Sequence, residues 1–408
     1  MRTSTSLLAG GVVLLAALPV LLSAGLLNAA VQMLIAALFA SAYSLLAGRA
    51  GMLSFGHAAY FGVGAFATVH AMNALGGAGL LPTPLMPLVG AAAGLAFGVV
   101  AGWFATQRSG TAFAMITLAI AELLHSLAPQ LKGLFGGESG ISAMRMPAWG
   151  FTFGSTTQVY YLTLVWVLLS LLLLHFHTRT PAGRLTLGLR ENSHRLRFLG
   201  YDVHLLSVSA FAISGLFSGV AGGLQVLANE AANYVVFDPG VSAGVVLNSY
   251  IGGVGVFLGP ALGAALMSFF GYAVSDKTQA WLLYQGVLFV LVMMFMPQGL
   301  VGLWDAAAAR VRRLGAARAV PLLLAWLIAA LLLTAGAVFL IELVQRLCSQ
   351  EYRALAAQAD AMPPVTLWNR TWEVASVATW AWPLGLSALG GGLLAFSHRR
   401  LKTTEDHP

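Results

Sequence analysis

The chain has 408 residues, 59% hydrophobic and only 9% charged, with a formal net charge of +7. An ordinary soluble domain carries about 25% charged residues, so this composition excludes a soluble surface of the usual kind. Apolar runs near the ~20 residues that a bilayer crossing needs recur along the chain, without the short alternating segments of a transmembrane barrel. The fold class is therefore an all-α polytopic membrane protein.

In chain order, the apolar runs predict spans at 7–27, 29–47, 53–72, 86–106, 112–131, 158–177, 206–228, 241–257, 259–274, 279–296, 321–342 and 375–397. The first could be read as a signal peptide, with Arg2 before it and "SAG" as a cleavage site. Its length and the apolar run that follows at once favour a retained span.

The second and third runs are joined by "GRAGMLSFGHAAYFGVGAF", from Gly48 to Phe66. Irregular backbone at membrane depth is tolerated where protein buries it or where it lines a cavity. Ser54 and His57, three residues apart, are expected on one helix face, where they could border a solute pathway. The alternative is that His57 only hydrogen-bonds a neighbouring helix. Glu122, in "ITLAIAELLHSL", is a carboxylate inside a span, which is expensive unless it faces a bundle interior or water, and His125 is near enough to pair with it. Ser54, His57 and Glu122 are the candidates for a translocation pathway.

Three polar stretches fall outside the spans: 132–157, which is glycine-rich, 178–205, which is basic, and 343–374. Glu230 and Asp238 are expected to be solvated. Within 184–200, Leu185, Leu189, Leu196 and Leu199 fall roughly on one side of a helix or helix pair, Ser193 could cap its start and Gly200 could end it. Such a helix could lie on lipid or dock in a partner's groove; spacing alone favours lipid or loop packing. Gly252, Gly253, Gly255 and Gly259 form a second glycine cluster, a weak echo of Gly48, Gly51 and Gly56.

Residues 304–320 read as a basic cytoplasmic linker. It divides a ten-span core, 1–303, from an additional hairpin, 321–397, and a tail, 398–408. Fifteen of the 21 Lys and Arg residues fall on one side if both termini lie inside, which accounts for the positive charge by topology, with no need for nucleic acid. Cys348 is the single cysteine, so an intrachain disulfide and multi-thiolate metal sites are excluded. None of the three lysines follows a phosphate-binding glycine loop. No cofactor or metal is expected, and no catalysis. A membrane enzyme using His57 and Glu122 would lack an orienting third group.

The run "AYSLLAGRAGMLSFGHAAYFGVGAF" resembles the signature of branched-chain amino acid permeases of ABC importers, specifically the M-type subunit. The resemblance continues through "FAMITLAIAELL", "GGESGI", "TPAGRLTLGLREN", "FLGYDVHLLSVSAFAISGLFSGVAGGL", "GGVGVFLGPALGAAL" and "MPQGLVGL". It implies a ten-helix ABC importer permease core, followed here by the two-helix hairpin. It also implies a second, H-type permease subunit, two cytoplasmic ATP-binding subunits and a periplasmic solute-binding protein, in the bacterial inner membrane. It identifies Gly183–Gly200 as the matching ATPase-coupling loop, with Arg184, Arg190, Glu191, Leu196, Leu199 and Gly200 as coupling candidates. The implied cargo is a branched-chain, hydrophobic amino acid; close relatives take urea or short amides. "RLRFLGYDV" carries arginines where members often have small residues, and the hairpin lies beyond the usual end of the pattern.

Overall fold

The computed structural model describes residues 2–278, 280–296, 298–358, 362–368 and 370–405. Gln279, at the head of one expected span, Pro297 of "MPQGLVGL" and the last three residues of the expected tail lie outside the described residues. The helices are α1 (Arg2–Leu21), α2 (Ala24–Ser44), α3 (His57–Ala71), α4 (Pro87–Ala105), α5 (Thr111–Leu127), α6 (Lys132–Phe135), α7 (Thr156–Arg179) and α8 (Pro181–Phe198). They continue with α9 (Val203–Asn229), α10 (Pro239–Gly252), α11 (Gly259–Ser275), α12 (Trp281–Phe295), α13 (Gly299–Leu314), α14 (Ala316–Cys348), α15 (Gln350–Gln358) and α16 (Val377–Glu405). The strands are minute: β1 (Ile141–Ser142) pairs antiparallel with β2 (Ala231–Ala232), and β3 (Val365–Leu367) with β4 (Arg370–Trp372).

Six helical stretches among the described residues are long and apolar enough to cross a bilayer: Ala24–Arg49, Thr83–Ala105, Thr156–Arg179, Val203–Asn229, Ala319–Cys348 and Val377–Ser397. The pair Trp281–Phe295 and Gly299–Arg313, bent by 47°, makes a seventh if counted as one span. Several expected spans are thus shorter helices. The 15 residues of α3 and 14 of α10 rise about 21–23 Å, against a hydrocarbon core of about 30 Å. Irregular glycine-rich segments occupy the rest of those apolar runs.

Helix starts follow from local chemistry. Thr180 accepts from the Gly183 amide (3.1 Å) ahead of Pro181. Asp202 accepts from the amides of His204 (2.9 Å) and Leu205 (3.1 Å), opening α9. Asp238 accepts from the Gly240 amide (2.5 Å) ahead of Pro239, opening α10. Each satisfies amide donors that a helix start leaves free. Asp238 is therefore a cap, which corrects the expectation of a merely solvated carboxylate.

The chain divides into two compact units: one formed by residues through Tyr272 together with Leu288–Gly302, the other by Ala273–Val287 with the residues from Leu303 onward. The first is organised on a seam of small residues. Gly90, Gly94 and Gly98 recur every four residues on α4 and meet Gly219, Gly215 and Ala212 on α9. A Cβ on Gly94 would collide with the Gly215 carbonyl and lie 2.9 Å from Gly219 Cα. Gly64 of α3 meets Gly219 from another side, and Thr68, whose hydroxyl donates to the Gly64 carbonyl (2.8 Å), fills the space beside Gly90.

In the second unit Gly336 of α14 faces Pro383 and Ser387 of α16, while Gly390 faces Ala329 and Leu333. The two helices therefore run antiparallel. The segment 343–374, expected as an outside loop, holds the end of α14, α15 and the β3–β4 hairpin. Its Trp372 ring packs edge-on against Phe339 at 4.9 Å. The Tyr284 hydroxyl donates to Glu342 (2.7 Å).

The seam gives the first prediction. Gly94→Val should destabilise the purified protein by about 1–3 kcal/mol or more, because overpacking a closed contact forces backbone apart. Gly391→Ala, at a position with nothing within 4 Å of the added carbon, should leave the thermal midpoint nearly unchanged. Equal midpoints for the two variants would show that the seam is not under packing constraint.

Candidate functional site

The glycine-rich stretch forms a true break between α2 and α3. α2 passes into a wider π-helical turn, Leu45–Arg49, and the chain turns at Gly51, where φ is +70°. That left-handed conformation suits glycine because it lacks a Cβ. The backbone from Gly51 to Gly56 is not helical, and α3 starts only at His57. Ser54 and His57 therefore do not share a helix face as expected. Ser54 is fully buried in the turn, where its hydroxyl accepts from the Gly56 amide (3.4 Å). A Cβ on Gly56 would strike the Thr117 carbonyl of α5, and the Phe55 amide donates to the Thr117 hydroxyl (3.2 Å).

His57 is 1% exposed. Its Nε2 lies 2.9 Å from the Ser214 hydroxyl of α9, and that hydroxyl donates its one proton to the Ala42 carbonyl (2.6 Å). Ser214 must therefore accept, so Nε2 carries the imidazole proton and Nδ1 is left as an acceptor. The hydrogen bonds join α2, α3 and α9. Tyr43 and Tyr60 pack their rings against the imidazole at 5.2 and 5.3 Å. Both tyrosine hydroxyls and His57 Nδ1 are buried without a hydrogen-bond partner among the described residues.

Glu122 stands apart from this cluster. It is exposed on α5, on a stripe with Met115, Leu118, Ala119 and Ser126, and it has no ion-pair partner among the described residues. The expected pairing with His125 is not made: His125 Nδ1 is buried without a partner, and its ring lies 5.6 Å from that of Tyr234.

The structure brings the coupling stretch to the glycine break. The Arg190 guanidinium donates to the Gly48 carbonyl (2.6 Å), and its side-chain stem packs on Gly51. Arg49 donates to the Thr178 carbonyl (3.3 Å) just before α8. A Cβ on Gly48 would lie 2.8 Å from the Val254 side chain, so the second glycine cluster closes on the same place. There Gly252 and Gly259 are in backbone contact and Gly253 has φ +111°, whereas Gly255 has open space around it.

Within α8 the backbone breaks at Asn192 (φ −163°, ψ 94°). Its side chain accepts from the Arg195 amide (3.0 Å), so Asn192, not Ser193, caps the second half. Gly200, at φ +86°, ends it. Leu196 is 6% exposed and rests against Gly188 of its own chain, while Leu199 is 65% and Phe198 91% exposed. The expected single leucine face is therefore split: Leu196 turns inward and Leu199 outward. Arg184 and Glu191 are exposed.

Sequence reasoning missed two further features. Glu230 is not merely solvated: it forms an ion pair with Arg145 (3.3 Å) and accepts from the Arg145 amide (2.9 Å). The same guanidinium donates to the Leu227 carbonyl (2.7 Å), capping the end of α9. Beside it, a cavity of about 400 Å³ is lined by Gln225, Asn229 and Asn233 with Phe61, Val235 and Val236 among its walls. Gln32 donates to Asn229 (3.4 Å). The signal that could have found the cavity was the set of neutral amides at the ends of otherwise apolar runs.

Removing the Arg190 side chain should free α8. A charge-assisted hydrogen bond contributes about 1.5–3 kcal/mol, so Arg190→Ala should speed limited tryptic cleavage after Arg184, Arg195 and Arg197 by about tenfold or more. Unchanged cleavage would mean that α8 is held by other contacts.

The sequence pattern of the family described as branched-chain amino acid transport system / permease component matches residues 25–297. The high-affinity branched-chain amino acid transport system permease protein LivM of Salmonella typhimurium is 28% identical over 314 residues, 71% of this chain and 73% of that protein. LivM of Escherichia coli is 27% identical over the same shares. BraD of Pseudomonas aeruginosa, likewise named a permease protein of that transport system, is 24% identical over 65% of this chain and 91% of its own. No solved structure matches the chain. The match covers well over half of the chain, from α2 to the end of α12, and contains the glycine break, α8 and the α10–α11 turn: the chain belongs to the permease components of branched-chain amino acid transport systems, as a multi-pass membrane subunit and not an enzyme.

Proposed function

We propose that this chain is the M-type permease of an ATP-driven, binding-protein-dependent importer of branched-chain amino acids. In this reading it works with a second, H-type permease, two cytoplasmic ATP-binding subunits and a periplasmic solute-binding protein, in the inner membrane with both termini cytoplasmic. The names of the relatives support the cargo. The arginine bias of the loops supports the orientation.

The observation that carries the reading is Glu122. A carboxylate within an apolar helix, exposed on a stripe that also bears Ala119 and Ser126, is out of place against lipid. It fits a part of that face, from Ala119 to Ser126, that the second permease covers or a solute path wets. Ser54 and His57 then hold the α2–α3 break in place beside that path. The amide-lined cavity at the end of α9 fits its outer mouth: neutral amides can hydrogen-bond a zwitterion, and valine and phenylalanine walls suit a branched apolar side chain.

Uptake in cells that lack their own branched-chain transport, expressing this chain with its partner subunits, tests the assignment. Leucine should accumulate and urea should not; urea accumulation without leucine would replace the cargo with a small amide. Glu122→Leu should reduce leucine uptake about tenfold at unchanged permease abundance, a rise of about 1.4 kcal/mol in the transport barrier, with Glu122→Gln milder. Full uptake by Glu122→Leu would remove α5 from the pathway.

The exposed end of α8 is the proposed ATPase contact, with Phe198 and Leu199 seated in the partner and Arg184 and Glu191 flanking them. Phe198→Asp would place an unpaired carboxylate in that contact, at a cost of several kcal/mol, and should abolish ATPase co-purification while leaving the permease folded. Leu196→Asp should instead lower permease abundance, because Leu196 is buried in its own chain. Intact co-purification of Phe198→Asp would refute this contact.

A further inference from the structure

A cavity of about 790 Å³ opens where the segment after Gly51, the α4–α5 loop and the second half of α8 meet. Arg108 and Arg197 are the charged residues that line it, and no carboxylate does. Both arginines are exposed, and neither has an ion-pair partner among the described residues. Two guanidinium groups in one lining that has no carboxylate suit an anion. Ser109 and Thr111 add hydroxyl donors to the lining.

The lining also has an apolar part, with Phe55, Met115 and Leu118. Met115 is 71% exposed, and the apolar surface continues along the outer face of α5. Trp103 and Phe104 are exposed on the last turn of α4, just before the loop that carries Arg108. Exposed aromatics at a span end mark the depth of the membrane–water interface. The cavity is thus basic at its polar end and continuous at its apolar end with exposed Met115 and Leu118, which precede Glu122 on α5.

We propose that this cavity binds an anionic phospholipid. Its phosphate lies between Arg108 and Arg197, and one acyl chain runs along Met115 and Leu118. Guanidinium forks match phosphate oxygens in pairs, and basic pockets beside span ends suit anionic headgroups. A free phosphate would satisfy the arginines but leave the apolar wall uncovered. The occupant would join the α4–α5 loop to the half of α8 beyond Asn192, which the Arg190–Gly48 hydrogen bond does not hold. The inward-facing leaflet follows from the orientation proposed above, but binding itself does not depend on transport.

The test is native mass spectrometry of the full-length chain in detergent, titrated with phosphatidylglycerol, phosphatidylcholine or inorganic phosphate. The expected result is about tenfold preferential retention of phosphatidylglycerol over phosphatidylcholine, with no displacement by millimolar inorganic phosphate. Arg108→Gln with Arg197→Gln should abolish the preference, whereas Arg346→Gln with Arg353→Gln, an equal change of net charge elsewhere, should keep it. Met115→Glu should lower phosphatidylglycerol retention with both arginines present. Equal retention of the two lipids, an unchanged preference in the Arg108/Arg197 double variant, or displacement by inorganic phosphate would each overturn the proposal, the last by showing a small-anion site. Transport failure with lipid retention intact would count against the functional reading alone.

Discussion

The first unit depends on how closely α4 and α9 approach. In a bilayer, lipid tails are as apolar as leucine, so burying leucine between helices gains little; close van der Waals contact between backbones is what holds them. Gly90, Gly94 and Gly98 against Gly219, Gly215 and Ala212 provide that contact, and Gly64 and Thr68 extend it to α3. With α3 fixed against α9, His57 lies beside Ser214, and Ser214 in turn reaches the Ala42 carbonyl of α2. Separating α3 from α9 would break this hydrogen-bonded junction.

The same economy of space governs the other end of the core. Gly48, Gly51, Arg190 and Val254 come from three distant parts of the chain and occupy one crowded point. The carbonyl of Gly48 belongs to the π-helical turn in which α2 loses its regular hydrogen bonding, and it is open to an outside donor for that reason. Any displacement of the first half of α8 must break the Arg190 hydrogen bond or carry the end of α2 with it. The second half, beyond Asn192, is separated from that constraint by an extended residue.

Much of this was legible in the sequence, and the failures have physical causes. Hydropathy identified apolar runs and their order, because lipid imposes a strong one-dimensional constraint. It did not show where the helix inside a run starts or stops: residues 53–56 of one run are nonhelical, and left-handed Gly253 interrupts another. Ser54 was placed on a helix by spacing alone, although the nonhelical backbone from Gly51 to Gly56 removes it. The leucines of α8 were treated as one face, but the break at Asn192 changes the helical phase between Leu189 and Leu196. Arg190 lies 142 residues from the carbonyl it holds, and Arg145 lies 85 from Glu230; local patterns carry no trace of such partners.

The length of α9 has a consequence for the ion pair at its end. Its 27 residues extend about 40 Å, roughly 10 Å more than the hydrocarbon thickness. A helix so mismatched either leans steeply or projects into the headgroup layer. The seam with α4 limits leaning, since a tilt of α9 alone would pull its glycines out of register. Where the excess projects at the Asn229 end, Arg145, Glu230 and the last carbonyls of α9 stand at the headgroup layer, and the pair is spared the desolvation that hydrocarbon would impose.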